Sequence, residues 1–406
     1  MGFEFHKTIL TLLFVIFPIF TTGCISRQLM NGGANAENIN TNIIDDNDKR
    51  NQQHHHHHTS MSNKGESVCP CADDKLCEPI STPTRKEVFA YVGSPDTDWK
   101  AFDWNKITTI WTHKNYTSIA QLMCFAHSKG ARVIYLSQLL QQPDFQVPSR
   151  RYEWILTEFQ YTLDNHLDGI NIDYEYNVTR VGMEEDAKAL TAFMSELTAV
   201  FKGHFSGYQI SFDAPWSPIC CLRYYNYVEM SKMIDFIFVM SYDQWFPFEI
   251  VLSYAGPNSG LLQTIKGIQE YIDSGVPSNK LIVGVPWYGY NQSCTHLIED
   301  NCYMRPRSGV ETAYKEAMVL LKTSSIGGRK WDNTNKSPYF NYKDELGQVH
   351  QMWYDDPESL KYKYELVPQM ELAGVGMWTA DMLDYSNSSS VTSAQTKAMW
   401  DALPQY

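Results

Sequence analysis

Residues 167–177 read LDGINIDYEYN, an apolar, isoleucine-bearing run with acid groups in its middle. Such runs are usually buried strands, where an ionised group is costly unless it is paired or hydrogen-bonded. Strand side chains alternate, so Ile170, Ile172 and Tyr174 share a face that wants a helix against it. Asn171, Asp173 and Glu175 share the other face. One amide and two carboxyls in a row, ending where the strand ends, mark a candidate site. Asp168, at the head of the stretch, reads instead as a residue that fixes a strand or loop end.

Outward from this stretch the chain keeps a rhythm. EVFAYVG (87–93), TTIWTH (108–113), ARVIYLS (131–137), YQISFDA (208–214), DFIFVMSYD (235–243), KLIVGVPWYG (280–289) and GVGMWTA (374–380) all read as short buried strands. Helical patterns lie between several of them. TSIAQLMCFAHSKG has hydroxyl N-cap candidates at Thr117 and Ser118 and a terminal Gly130, and EEDAKALTAFMSELTAVFKG repeats apolar residues at three- and four-residue spacing. Eight strands alternating with helices predict an α/β fold, a (β/α)8 TIM barrel. In that fold the site lies at the C-terminal ends of the strands, where Glu175, Asp213, Asp243 and Trp378 fall. The stretch from about 290 to 370 is too long for one crossover. Its segment SPYFNYKDELGQVHQMWYDD predicts a β-hairpin around a polar turn at Glu345–Gly347. We expect a small α+β insertion before the last strand, forming a wall of the cleft.

The 406 residues carry a formal net charge of −13, which disfavours nucleic acid or an anionic membrane as a partner. The N-terminus, MGFEFHK then TILTLLFVIFPIF then TTGC, fits a secretory signal peptide over 1–23. The apolar run is short for a membrane span and Pro18 interrupts it, so no stable membrane association is expected. Residues 24–68 read as a disordered polar leader containing the tract His54–His58, and 69–406 as the catalytic unit. Of nine cysteines, Cys24 lies at the signal's edge, leaving an even eight for disulfides. Sequons at Asn115, Asn177, Asn291, Asn335 and Asn387 also favour export. Cys69, Cys71 and Cys77 lack a fourth ligand at zinc spacing, so disulfides are expected there and no metal.

Nucleophilic triads, P-loops and HExxH sites are absent from the sequence, and neither GVGMW nor GVPWYG is a dinucleotide fingerprint. What remains is carboxylates beside aromatics on a barrel rim, the equipment of a glycosidase: sugars stack on tryptophan and a carboxylic acid protonates the leaving oxygen. An ionised Asp173 on the same face would favour a protonated Glu175. Magnesium would need further oxygen ligands that nothing singles out. Trp216, Trp287, Tyr288 and Trp353 suit cleft lining and core packing equally well.

DGINIDYE resembles the DGxDxDxE signature of glycoside hydrolase family 18, the chitinase family. VMSYD (239–243) resembles its sixth-strand motif and GVGMW its last strand. The order of LMCFAHSKGARV, SFDAPWSP, FVMSYD, GVPWYGY, PYFNYKD, HQMWYDDP and GMW…LDYS, from about residue 69 to the end, resembles one branch of that family. That branch cuts the GlcNAc-β1,4-GlcNAc core of Asn-linked glycans from the reducing end. The resemblance implies substrate-assisted retention, with Glu175 as acid then base and no enzyme nucleophile. It implies that Asp173 holds the acetamido N–H, that Tyr242 binds the acetamido oxygen and that Trp378 stacks under the sugar. Asp243, Asp213 and Asn171 join as substrate-binding candidates. No cofactor is implied. A monomer reaching the lysosome through the secretory pathway is, with secretion as the alternative. Two features depart from chitinases: the middle acid of the signature is Asn171, so Asp173 is expected to lose a like-charge neighbour, and VIYLSQL lacks their SxGG pattern. The competing readings are a chitinase-like lectin, which typically lacks the glutamate, and an endochitinase, which often carries a chitin-binding module not evident in this sequence.

Overall fold

The apolar runs become strands β1 (Glu87–Tyr91), β2 (Thr109–His113), β3 (Arg132–Leu136), β4 (Gly169–Ile172), β5 (Gln209–Pro215), β6 (Phe236–Met240) and β7 (Leu281–Pro286). Then follow β8 (Tyr288–Ile298), β9 (Asn301–Met304), β10 (Val310–Ala313), β11 (Ser325–Asp332), β12 (Ser337–Lys343), β13 (Val349–Trp353) and β14 (Gly374–Trp378). The structure is a computed structural model and describes residues 68–81, 85–137, 145–178, 183–245, 254–305 and 308–406. The expected signal peptide, Cys24, the His54–His58 tract and the leader up to residue 67 lie outside these residues.

Strands β1 to β7 and β14 close into a barrel in the order β1-β14-β7-β6-β5-β4-β3-β2, with every pair parallel. The alternation of side chains builds two cores. Phe89, Trp111, Ile134, Phe236, Phe238 and Ile282 fill the barrel interior, with Phe89 and Trp111 stacked at 5.0 Å. Val88, Ile110, Val133, Ile170, Ile172, Ile210 and Ile237 point outward into the layer under the helices. The expected greasy face of β4 is therefore its outer face.

Helices Ile119–Ser128, Pro148–Asp164, Glu184–His204, Tyr227–Met233, Leu261–Asp273, Pro357–Tyr364 and Ser390–Ala402 alternate with the strands along the chain. Ser118 takes the N-cap position of the first, but its hydroxyl makes no capping bond. Glu184, Glu185 and Asp186 open the helix Glu184–His204 and Lys202 and His204 close it, charges that suit the helix dipole at both ends.

Between β7 and β14 a second, antiparallel sheet runs in the order β10-β8-β13-β12-β11, with β9 pairing β8 and the helix Tyr314–Thr323 alongside. The expected hairpin is β12 and β13, turning at Gly347 with φ 81°. Trp287 alone separates β7 from β8, so the second sheet rises directly from the barrel.

The eight described cysteines pair as Cys69–Cys77, Cys71–Cys124, Cys220–Cys221 and Cys294–Cys302. The first closes a loop at the start of the described chain, and the second ties that loop to the helix after β2. Asp168 anchors the same corner. Its buried carboxylate accepts from Ile80 N at 2.7 Å, Val133 N at 2.6 Å and His127 Nε2 at 2.7 Å. Burial pulls the His127 imidazole down, but the hydrogen bond and charge of Asp168 outweigh it and leave the pKa raised.

Gly169 follows Asp168 for a steric reason. Its φ is 146°, and an added Cβ would stand 1.9 Å from the Gln209 carbonyl oxygen. Gly169→Ala should therefore lose about 3 kcal/mol or more of stability by urea or thermal unfolding, because the clash is with the backbone of the paired strand.

Candidate active site

The β4 ladder stops at Ile172, earlier than the alternation in the sequence implies, so Asp173 and Glu175 lie on the segment leaving the strand. That segment is held by the chain that leaves β5. Val178 pairs in parallel with Arg223, and the Tyr225 hydroxyl lies on the carbonyl oxygens of Tyr174, at 3.1 Å, and of Tyr176. Tyr174 turns back into the apolar layer, with its ring 4.8 Å from Phe145.

Glu175 is partly exposed, with its Oε2 bound by Nη2 of Arg223, a guanidinium only 3% exposed. Burial works to lower the Arg223 pKa, and the charges of Glu175 and Asp173 more than offset it. Arg223 is the residue that sequence reading missed. A carboxylate at a strand's end calls for a counter-ion, and the arginine in CCLRYY just after β5 is the available signal, but nothing periodic marks it.

Asn171 is fully buried beneath the acids, donating from Nδ2 to Ser211 Oγ and to Asp213 Oδ1, both at 2.9 Å. Asp213 on β5 is buried too. Burial first, then the charge of Asp173, pushes its carboxyl well above the ordinary range, although the hydrogen bond from Asn171 works the other way. The β4–β5 pairing brings Asp213 alongside Asp173, while Asn171, an amide, adds no charge there.

The other half of the rim is aromatic. Tyr242, just past β6, sets its ring edge-on to Tyr288 at 6.0 Å. Asp243 has φ 54°, with its N–H on Asn258 Oδ1 at 2.8 Å, and its Oδ1 accepts from the hydroxyls of Tyr288 at 2.6 Å and Tyr290 at 2.9 Å. Trp378 ends β14, stacked on Tyr91 at 4.2 Å with Trp111 edge-on at 5.7 Å. Trp287 is no cleft residue: it is fully buried, packed edge-on against Trp400 at 5.0 Å. Trp353 stacks on Tyr339 within the second sheet, Tyr288 is buried beside Asp243, and Trp216 is partly buried.

Among the described residues, the one His/Cys/Asp/Glu group close enough to hold a metal is Cys69, Cys71 and Cys77, all in disulfides. Also among them, no helix is long and apolar enough to cross a membrane. Asp173 and Glu175, just beyond β4, thus lie opposite Tyr242 past β6, tyrosines of β8 and Trp378 at the end of β14, with Asp213 of β5 buried beneath. That arrangement suits proton transfer beside a stacked sugar ring.

Residues 88–382 match the family described as Glycosyl hydrolases family 18, and the chain belongs to it as an O-glycosyl hydrolase. Among curated relatives it is 39% identical to human "Di-N-acetylchitobiase" over 351 residues, 82% of this chain and 88% of that protein. It is 32% identical to "Probable di-N-acetylchitobiase 1" of Dictyostelium discoideum over 364 residues, 83% of this chain and 93% of that one. Among solved structures, class V chitinase from Nicotiana tobaccum superposes with a TM-score of 0.66 at 16% identity, over 78% of this chain and 99% of that one. The likeness to the tobacco structure is one of fold.

The raised Asp213 pKa has a consequence with a definite sign. The folded state holds this proton above the unfolded range, so its stabilising contribution is complete below about pH 4 and is lost as pH rises toward the folded value. Asp213→Asn mimics the protonated acid and keeps an acceptor for Asn171. It should raise the melting temperature by a few degrees at about pH 7, with the gain shrinking toward about pH 4.

Proposed function

We propose that the protein is a retaining, substrate-assisted glycosidase that hydrolyses the GlcNAc-β1,4-GlcNAc core of Asn-linked oligosaccharides from the reducing end. The observation that carries this reading is the Glu175 carboxyl, partly exposed just beyond β4 in the DGINIDYE segment. The named relatives support the same substrate class. Glu175 protonates the glycosidic oxygen while the substrate's own acetamido oxygen attacks the anomeric carbon, giving an oxazolinium ion. Glu175 then takes a proton from the water that opens it. Asp173 holds the acetamido N–H and offsets the positive charge of the ion. Asp213 beneath it stays protonated, so that a single negative charge faces the sugar. Asn171 bonds Asp213 rather than the substrate. Tyr242 donates to the acetamido oxygen, and Trp378, stacked on Tyr91, meets the ring. Asp243, already bound by two tyrosine hydroxyls, orders the rim that meets sugar hydroxyls.

The glutamate argues against a lectin on the same fold. The protein acts as a monomer in the lysosome, reached through the secretory pathway over residues 1–23, with 24–68 a leader and 69–406 the catalytic unit. Four disulfides and five sequons support passage through an oxidising compartment. The sequons are not equivalent. Asn115, Asn177 and Asn387 are exposed. Asn291 sits in β8 between β10 and β13, with Nδ2 on the Tyr342 hydroxyl at 2.6 Å and Oδ1 on His350 Nδ1 at 3.0 Å.

After expression through a eukaryotic secretory pathway, peptide mapping should find Asn291 unmodified, because its amide is spent inside the sheet. The function itself is tested by product analysis on a reducing oligosaccharide with the chitobiose core. Wild type should release single reducing-end GlcNAc, and Glu175→Gln should lose at least about 100-fold in rate. Folded wild type that binds the sugar and cleaves nothing would make the protein a lectin.

A further inference from the structure

The chain leaving β5 is built around one carboxylate. The β4–β5 ladder ends at the pair Ile172–Phe212, and the two exit segments then meet again at a short parallel bridge. Val178 N donates to Leu222 O at 2.6 Å and Tyr224 N donates to Val178 O at 3.1 Å. The Tyr225 hydroxyl is shared between the carbonyls of Tyr174 and Tyr176, the residues flanking Glu175. The turn that delivers Arg223 passes through the adjacent-cysteine disulfide Cys220–Cys221, with Cys221 and Leu222 both in the left-handed region at φ 67° and 55°. Barrel closure uses none of these contacts. They bring Nη2 of Arg223 onto Oε2 of Glu175.

A guanidinium as buried as Arg223 is costly without an opposite charge, and among the described residues its ion-pair partner is Glu175. Acid groups face Glu175 from its own segment, through Asp173, and from β5, through Asp213, which burial keeps protonated. The exit loop of β5 contributes Arg223, with the hydroxyls of Tyr225 and Tyr227 nearby. Arg223 is the cation that opposes this negative field.

We infer that Arg223 is a positioning residue for Glu175, fixing Oε2 so that Oε1 carries the reacting proton, and stabilising the carboxylate left behind. The inference rests on the role proposed above for Glu175. In the first step the Oε1–H bond breaks as the proton bonds to the leaving oxygen. Its electron pair stays on the carboxylate, whose charge the guanidinium balances, and Arg223 keeps its own protons. In the second step the same carboxylate takes a proton from water, while the water oxygen bonds to the anomeric carbon. Arg223 thus acts by placing the carboxyl and by balancing the charge left on it, without exchanging a proton itself.

The test is kcat and KM, measured separately, for Arg223→Gln on the same reducing oligosaccharide. With the cation gone, kcat should fall at least about 100-fold while KM stays within about twofold of wild type. A folded variant that keeps wild-type kcat, or loses only in KM, would overturn the inference. If Arg223→Gln does not fold, Arg223→Lys decides. It keeps the charge without the planar fork, so kcat should drop about 10-fold with KM unmoved. An unchanged kcat, or collapse of both variants, would make Arg223 a structural residue only and overturn the inference. Failure of the underlying function shows separately, as a wild type that releases no sugar and a Glu175→Gln variant no different from it.

Discussion

The register between β4 and β5 is the constraint on which the site depends. Gly169 pairs with Gln209 and Asn171 with Ser211, at a separation that no side chain on Gly169 would allow. That pairing brings Asn171 within reach of both Ser211 and Asp213. It releases Asp173 and Glu175 into the exit segment, and it starts the two exit chains side by side so that Val178 can find Arg223. A slip of one residue would turn Ile170 and Ile172 into the barrel and the amide out among the helices. The DG at the start of the motif is thus a register device: Asp168 locks the strand's beginning and Gly169 admits the neighbouring backbone.

The carboxyls that follow are sorted by their surroundings. Asp213 is sealed under the floor and kept from ionising by burial and by Asp173. Glu175, a few residues along the same stretch as Asp173, has a guanidinium on one oxygen and solvent access to the remainder. Acids close enough to share a field are thereby held in different surroundings. On the aromatic half of the rim, Oδ1 of Asp243 accepts from two tyrosine hydroxyls.

Much of this could be read from residues alone, for identifiable reasons. A parallel barrel buries both faces of every strand, so its strands stand out as short apolar runs, and polar groups at their C-terminal ends stand out against them. That contrast exposes Asp173, Glu175, Asp213, Tyr242, Asp243 and Trp378. The end of β4 was not legible, because alternation continues through Glu175 although the ladder stops at Ile172. Neither was the burial of Asn171, since a polar residue on an inner face can look into the cleft or sit under it. Trp287 misleads because a tryptophan beside a rim strand fits a sugar or a core equally well. Arg223 and the cysteine pair before it lie in an irregular loop, where no period constrains which side chain turns inward.

Barrel closure has a further meaning for the life of the chain. The seam joins β1, the first barrel strand made, to β14, the last, and Trp378 sits at the end of that final strand, stacked on Tyr91 from the first. Contacts so distant in sequence form late, after the intervening loops have been closed at an entropic cost. A ribosome-bound chain short of its final stretch would own Glu175 and Arg223 yet lack Trp378 and the strand that closes the barrel. A chain stopped before β14 would therefore leave β1 and β7 as unpaired edges of an open sheet, with Tyr91 stripped of its stacking partner.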